Sequence, residues 1–129
     1  MGNYKFFSLS WGLIILAALF DSYAAFIVKT KFNELGAINF SSLQGVVSYI
    51  AKFLKSPLML TAVIAFVLAP GLWFLALNRI DLSVGYPALV GFHLIFVLVF
   101  GIFCLGEVMT VNKSIAVVLI FISLYFLYR

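Results

Sequence analysis

The chain alternates between long apolar runs and short polar segments. Four apolar runs cover residues 11–28, 58–77, 84–105 and 112–128. A transmembrane helix needs about 20 residues to cross the ~30 Å hydrocarbon core of a bilayer, so the first three runs are long enough and the fourth is slightly short. The strands of a membrane β-barrel show short segments of alternating polarity instead. The pattern therefore predicts an all-α integral membrane protein with four transmembrane helices.

Residues 41–55 follow a different pattern, in which polar residues recur every three or four positions. This spacing is typical of a helix with one polar and one apolar face. We expect an amphipathic helix that lies in the membrane interface between the first two spans and ends before Pro57. It is either a strut parallel to the membrane or a contact for lipid headgroups, and both interpretations stay open. Its polar stripe contains Ser41, Gln44, Ser48, Lys52 and Lys55.

Composition supports a membrane protein with one domain. Hydrophobic residues make up 66% of the chain and charged residues 9%, and the mean hydropathy is +1.25. Soluble domains are only about half apolar. The length fits a single domain that covers residues 1–129. The first apolar run could also be a cleaved secretory signal, because Ser22-Tyr23-Ala24 resembles a cleavage site. That triplet lies inside a run longer than a signal requires, so we expect a retained helix.

The basic excess predicts topology. Eight Lys and Arg residues against four acidic residues give a net charge of +4. With four spans, five lysines lie on the side that carries the loop after the first span, and three basic residues lie on the other. Cytoplasmic loops carry an excess of Lys and Arg, so we expect residues 29–55 to face the cytoplasm, with insertion in both orientations as the alternative. The excess then serves topology and lipid headgroup contact, and no nucleic-acid partner is expected. The five are Lys29, Lys31, Lys52, Lys55 and Lys113.

Asp21 lies near the middle of the first span. A charged carboxylate at the centre of a bilayer costs about 2.5–3.5 kcal/mol on insertion scales, so Asp21 must face a cavity or a partner, or carry a proton. Alanines stand three and four residues before and after it, and small residues allow close helix approach or leave room for a ligand. Asp21 either specifies helix packing or binds a proton and substrate, and we favour the second interpretation.

His93 lies near the middle of the third span. Spans one and three enter the membrane from the same side, so Asp21 and His93 are expected at nearly equal depth. This predicts an ion pair or a proton relay between them, and a neutral His93 bonded to a backbone carbonyl is the alternative. Tyr86 precedes His93 by seven residues, nearly two full helical turns, so both side chains are expected on one face.

Trp73 is a further candidate for the wall of a binding pocket, although tryptophan is more often a packing residue. One His, one Cys and four dispersed acids provide neither a metal-ligand set nor a catalytic arrangement. A membrane enzyme is hard to build from these residues. We therefore expect no enzyme activity, no catalytic residue, no metal and no cofactor.

The sequence LWFLALNRIDLSVGYPAL (72–89) and the Leu-Gly-Glu of 105–107 resemble the four-helix branch of the drug/metabolite transporter superfamily. That branch includes the small multidrug resistance exporters and the paired subunits of the aminoarabinose-phosphoundecaprenol flippase. The resemblance covers nearly the whole chain. It implies a four-helix fold and a transport function.

The resemblance also implies site residues. In the exporters an acid of the first helix binds protons and cationic substrate, and a Lys follows eight residues later; Asp21 and Lys29 have that spacing. The exporters' third-helix tyrosine falls on Tyr86. The exporters have Glu in place of Asp21. They also have a Trp three residues after the tyrosine, where this chain has Leu89. The Val-Gly-Tyr-Pro of 84–87 and Trp73 look more like the flippase subunits, which lack the acid.

These observations together predict a transporter of the bacterial inner membrane. Four helices enclose little of a pathway, and transporters bind substrate between related units, so we expect a homodimer or a heterodimer with a related four-helix protein. The favoured substrate is lipid-linked and polar, such as a polyprenyl-phosphate sugar that is flipped across the membrane. Proton-coupled export of small organic cations is the alternative, and a non-transporting accessory subunit is the third. Membrane lipids are expected partners. The substrate- or proton-binding residues are expected to be Asp21, His93, Tyr86 and Trp73.

Overall fold

The computed structural model describes residues 3–38 and 40–129, which are all-helical without any strand. Three helices, α1, α3 and α4, are long and apolar enough to cross a membrane. The fifth, α5, has 18 residues, or about 27 Å at 1.5 Å per residue, slightly less than the hydrocarbon thickness. The all-helical, membrane-type pattern is confirmed, and the four-span arrangement remains a prediction. The helices are α1 (Asn3–Leu35), α2 (Leu43–Leu54), α3 (Pro57–Leu77), α4 (Leu82–Leu105) and α5 (Val111–Tyr128).

Helix α1 extends well beyond the predicted first span, residues 11–28. Its 33 residues continue through a charged segment, in which Lys31 and Glu34 form an ion pair three residues apart. Such pairs support a helix that projects into water. Gly36 then leaves the helix with a φ of 76°, a conformation that glycine adopts without strain. Hydropathy therefore marks the apolar part of α1 and misses its polar extension, whereas the other predicted spans match α3, α4 and α5 within two residues.

Helix α1 forms the centre of the bundle, with α3 along one side and α4 along the other. Apart from Met59 at its start, the buried face of α3 consists of alanines, among them Ala62, Ala65 and Ala69 at spacings of three and four residues. On α1, Ala17 and Ala24 are buried as well. Because small residues let helix backbones approach closely, the α1–α3 contact is tight although neither helix has a pronounced apolar stripe.

Helix α5 packs against α4, and a glycine makes this contact possible. A Cβ atom added to Gly91 would lie 3.1 Å from Leu124 Cδ2, and Leu124 is one of the buried side chains of the core. By contrast, a Cβ atom at Gly71 of α3 would meet nothing within 4 Å. The absence of a side chain is therefore a packing requirement at Gly91 and not at Gly71.

A helix, α2, is present within the predicted range 41–55 and has three faces in place of the two expected, while its position in the membrane interface remains a prediction. One face contacts the bundle: the Tyr49 hydroxyl donates to the Gly36 carbonyl oxygen at 2.7 Å, and the Phe53 ring lies 5.3 Å from that of Phe32. The polar stripe faces away from the bundle. Between them lies an exposed apolar stripe, which suits a helix at a membrane surface. This stripe contains Leu43, Val47, Ile50 and Leu54.

We predict different effects of the same substitution at two glycines. Gly71→Ala should raise the free energy of unfolding by about 0.5–1 kcal/mol, because glycine inside a helix is less favourable than alanine by that amount. Gly91→Ala should lose this gain, because Leu124 must move away from α4. Thermal unfolding of both variants in detergent measures the difference. An equal gain at both positions would contradict the α4–α5 packing described here.

Candidate functional site

An acid–histidine contact joins α1 to α4 inside the bundle. Asp21 Oδ2 lies 3.1 Å from His93 Nδ1, and the two side chains are 46% and 29% exposed. Aromatic contacts hold the same two helices together along their length. The rings of Phe26 and Phe100 stack with centroids 5.2 Å apart. The contact that equal depth predicts is therefore present, while the roles of both residues in binding protons or substrate remain predictions.

Ser22 completes this cluster, and the sequence-based interpretation did not assign it to the site. Its hydroxyl is buried and donates to the carbonyl oxygen of Ala18 at 2.6 Å, the usual bond of a serine to the preceding turn. Its oxygen lies 3.1 Å from His93 Nδ1, and it is 3.2 Å from the His93 carbonyl oxygen. A proton on Nδ1 can therefore be donated either to the Asp21 carboxylate or to Ser22.

Asp21 borders a long apolar groove between α1 and α3, called here the α1/α3 groove. The groove has a volume of about 360 Å³ and runs from Asp21 toward Met59 at the start of α3. Asp21 is its one polar side chain. A carboxylate at one end of an apolar groove suits a molecule with a positive or hydrogen-bonding group on an apolar body. The other lining residues are Ala24, Ala25, Val28, Ala62, Val63 and Phe66.

A second cavity of about 170 Å³ extends from Asp21 in the other direction and contains Trp73 and Pro70. The chain stays helical through Pro70, but proline has no N–H group, so the carbonyl of Phe66 loses its helical donor. Membrane helices tolerate such a carbonyl where a neighbour or a cavity accommodates it. Phe66 itself lines the α1/α3 groove. The residue whose carbonyl loses its helical donor therefore borders the same groove as Asp21.

The four predicted site residues do not share one cavity. Asp21 and Trp73 line the same small cavity, and His93 contacts Asp21 directly. Tyr86 lies one step further out, where its ring meets Trp73 edge-on with centroids 6.2 Å apart. It borders a different cavity, between α4 and α5. The expectation that Tyr86 and His93 project from one face of α4 therefore stays a prediction, because Tyr86 contacts Trp73 and His93 contacts Asp21.

A third cavity of about 290 Å³ lies between α1 and α4 and is called here the α1/α4 cavity. It begins at Ser22 and ends at Lys29 and Glu107. The family resemblance associates Lys29 with Asp21, but eight residues of helix turn Lys29 by about 80° from the direction of Asp21. Ala25, which lies between these two, borders both the groove and the cavity.

Glu107 is held at the end of the α1/α4 cavity. Its carboxylate lies 3.5 Å from Lys113 Nζ, and Lys113 also donates to the Val108 carbonyl oxygen at 3.1 Å. The Glu107 N–H donates to the Gly101 carbonyl oxygen at 2.9 Å, which turns the chain back over the end of α4. A Cβ atom at Gly101 would lie 3.0 Å from Glu107 Oε2. The absence of a side chain at Gly101 therefore leaves room for the Glu107 carboxylate.

Neither a metal-ligand group nor a known relative points to a function for this site. Among the residues that the structure describes, no three His, Cys, Asp or Glu side chains form a group that could hold a metal ion. The chain matches no protein-family model and has no significant match among curated proteins or solved structures. The resemblance to drug/metabolite transporters therefore remains a prediction from residues 72–89 and 105–107.

We predict that Asp21 and His93 are energetically coupled. In a double-mutant cycle of Asp21→Asn and His93→Gln, the free energies of unfolding in mixed micelles should deviate from additivity by about 1 kcal/mol, as residues in contact do. The matched control combines Asp21→Asn with Lys113→Gln. Since these two side chains have no common partner, their effects should add to within about 0.3–0.5 kcal/mol. Additivity in the first cycle would mean that the contact does not hold α1 to α4.

Proposed function

We propose that this chain is a small transporter of the bacterial inner membrane, of the drug/metabolite transporter type, that moves a lipid-linked polar substrate such as a polyprenyl-phosphate sugar between leaflets. The observation that carries the proposal is the α1/α3 groove: one carboxylate at the end of an apolar surface that is open at the side of the bundle. A substrate that enters from the lipid needs such an opening, because its hydrocarbon chain never leaves the membrane.

Charged groups on α1 and α2 fit such a substrate. Asp21 offers an acceptor for hydroxyl or amino groups of a sugar in the groove. Lys29 lines the neighbouring α1/α4 cavity and not the groove, so the cations that suit a phosphate are those of α2. Helix α2 adds an exposed apolar stripe beside two lysines of its polar face, Lys52 and Lys55. This arrangement favours contact with anionic headgroups at the interface over a purely structural strut.

We further propose that the transporter works as a dimer with an identical or related four-helix chain. The side chain of Asp21 is 46% exposed, a high value for a carboxylate at this depth of an apolar helix. Only 22% of the most apolar segment of α3 and 17% of that of α4 is buried. A second chain would cover Asp21 and enclose the groove, which matches the general placement of substrate between related units.

Proton-coupled export of small organic cations is the second candidate. The observation that favours it is the contact of Asp21 with His93 at 3.1 Å, because a carboxylate beside a titratable ring can exchange a proton for a cation. The open apolar groove suits hydrophobic cations as well as lipid tails. Transport of the two substrate classes by the purified protein separates the candidates.

We predict that Asp21→Asn retains the fold and abolishes pH-dependent transport. The amide has nearly the shape of the carboxylate but takes up no proton and attracts no cation. Proteoliposomes containing the purified protein should translocate a fluorescent lipid-linked amino sugar, or else tetraphenylphosphonium, at rates that depend on pH between 6 and 8 and are lost in the variant.

The matched control for this assay is Asp81→Asn, the same chemical change at the exposed residue that precedes α4. It should leave transport unchanged. Normal transport by Asp21→Asn over the whole pH range would reduce Asp21 to a packing residue. Transport of neither substrate by the wild-type protein, with an enzyme co-purifying instead, would support the accessory-subunit interpretation.

A further inference from the structure

The α1/α4 cavity differs in character from the α1/α3 groove beside it. Ser22 stands at its inner end, and Lys29 and Glu107 stand at its outer end. The groove, although larger, has Asp21 alone as a polar side chain. Water remains in a cavity that is roomy and offers several polar partners, and 290 Å³ accommodates several water molecules by that measure. The polar partners are Ser22 at one end and Lys29 and Glu107 at the other, with apolar residues between them.

A short chain of polar atoms connects the inner end of this cavity with the groove. Ser22 Oγ is 3.1 Å from His93 Nδ1, and the same nitrogen is 3.1 Å from Asp21 Oδ2. Each step is within hydrogen-bond distance. Ser22 lines the cavity, while Asp21 lines the groove, and His93 lies between them. One ring nitrogen is therefore within reach of both side chains, so a proton that it takes from Ser22 can next be passed to Asp21.

We propose that the α1/α4 cavity is a water path through which protons reach Asp21, separate from the groove that takes the substrate. This deepens the proposed transport function and depends on it for its purpose. A water molecule in the cavity gives a proton to Ser22 Oγ and takes one from the next water toward Glu107, as the serine hydroxyl turns from the Ala18 carbonyl and passes its own proton to His93 Nδ1. The imidazolium then gives that proton to the Asp21 carboxylate. One proton enters and one arrives, and Ser22 and His93 return to their initial states.

The charged groups around the path suit this role. His93 of α4 faces Asp21 of α1. Helix α3 carries no titratable side chain. At the mouth, Glu107 faces Lys113 of α5 at 3.5 Å and shares the cavity lining with Lys29 of α1. Tyr23 bonds to Thr61 of α3 at 2.9 Å and lines neither the cavity nor the groove. Glu107 is therefore the acid that lies at the mouth of the proposed path.

Cysteine labelling tests the path without any transport assay. Two valines form a matched pair in a Cys104→Ser background: Val97 lines the cavity and is 37% exposed, and Val63 lines the groove and is 44% exposed. Val97 lies eight residues from the end of α4, about 12 Å, whereas Val63 lies six residues from the start of α3, about 9 Å. Both helix ends are on the same side of the bundle, so depth alone favours modification of Val63→Cys.

A charged methanethiosulfonate reagent reacts with the thiolate, which forms only in contact with water. In nanodiscs, which expose both membrane faces, Val97→Cys should be modified at least tenfold faster than Val63→Cys. An equal or slower rate at Val97→Cys would overturn the water path even if the protein transports substrate. A faster rate in a protein that transports neither substrate would retain the path and refute the proposed function.

Discussion

The Asp21 carboxylate within an apolar bundle constrains how α1 packs against α4. An isolated charge at that depth of a membrane helix costs about 2.5–3.5 kcal/mol even on lenient scales, so Asp21 needs a partner that the other helices must supply. His93 is that partner, at 3.1 Å, and it is the one histidine of the chain. The contact requires α1 and α4 to lie together at this depth, and it determines which residues of both helices can border a cavity.

The position of α1 between α3 and α4 follows from the side chains around Asp21. Buried alanines on α1 and α3 bring these two helices close together, which leaves an open groove on the side where Asp21 stands. On the other side, the Ser22 side chain faces α4 and contacts His93. Two adjacent residues of α1 thus border different spaces. Asp21 lines the α1/α3 groove, which suits an amphipathic molecule, and Ser22 lines the α1/α4 cavity, which we propose holds water.

The apolar runs predicted α3, α4, α5 and the apolar part of α1. Position along these runs also predicted the Asp21–His93 contact, because depth in a membrane is proportional to position along a helix. Rotation about the helix axis was not predictable in this way. It decides that Lys29 borders the cavity of Ser22 and not the groove of Asp21, and that Tyr86 meets Trp73 before it reaches the site. Ser22 was overlooked because the rotation of α1 decides that its side chain meets His93, and the docked face of α2 because it depends on Gly36.

The contact between Asp21 and His93 can be measured directly, because the chain has a single histidine and its one other aspartate, Asp81, precedes α4. We suggest magic-angle-spinning NMR of the protein in lipid bilayers, with ¹⁵N in the histidine ring and ¹³C in the aspartate carboxyl groups. We predict a strong correlation between the ring Nδ1 and one carboxyl carbon, which is lost in Asp21→Asn. A ring without any aspartate correlation in the wild-type protein would contradict it.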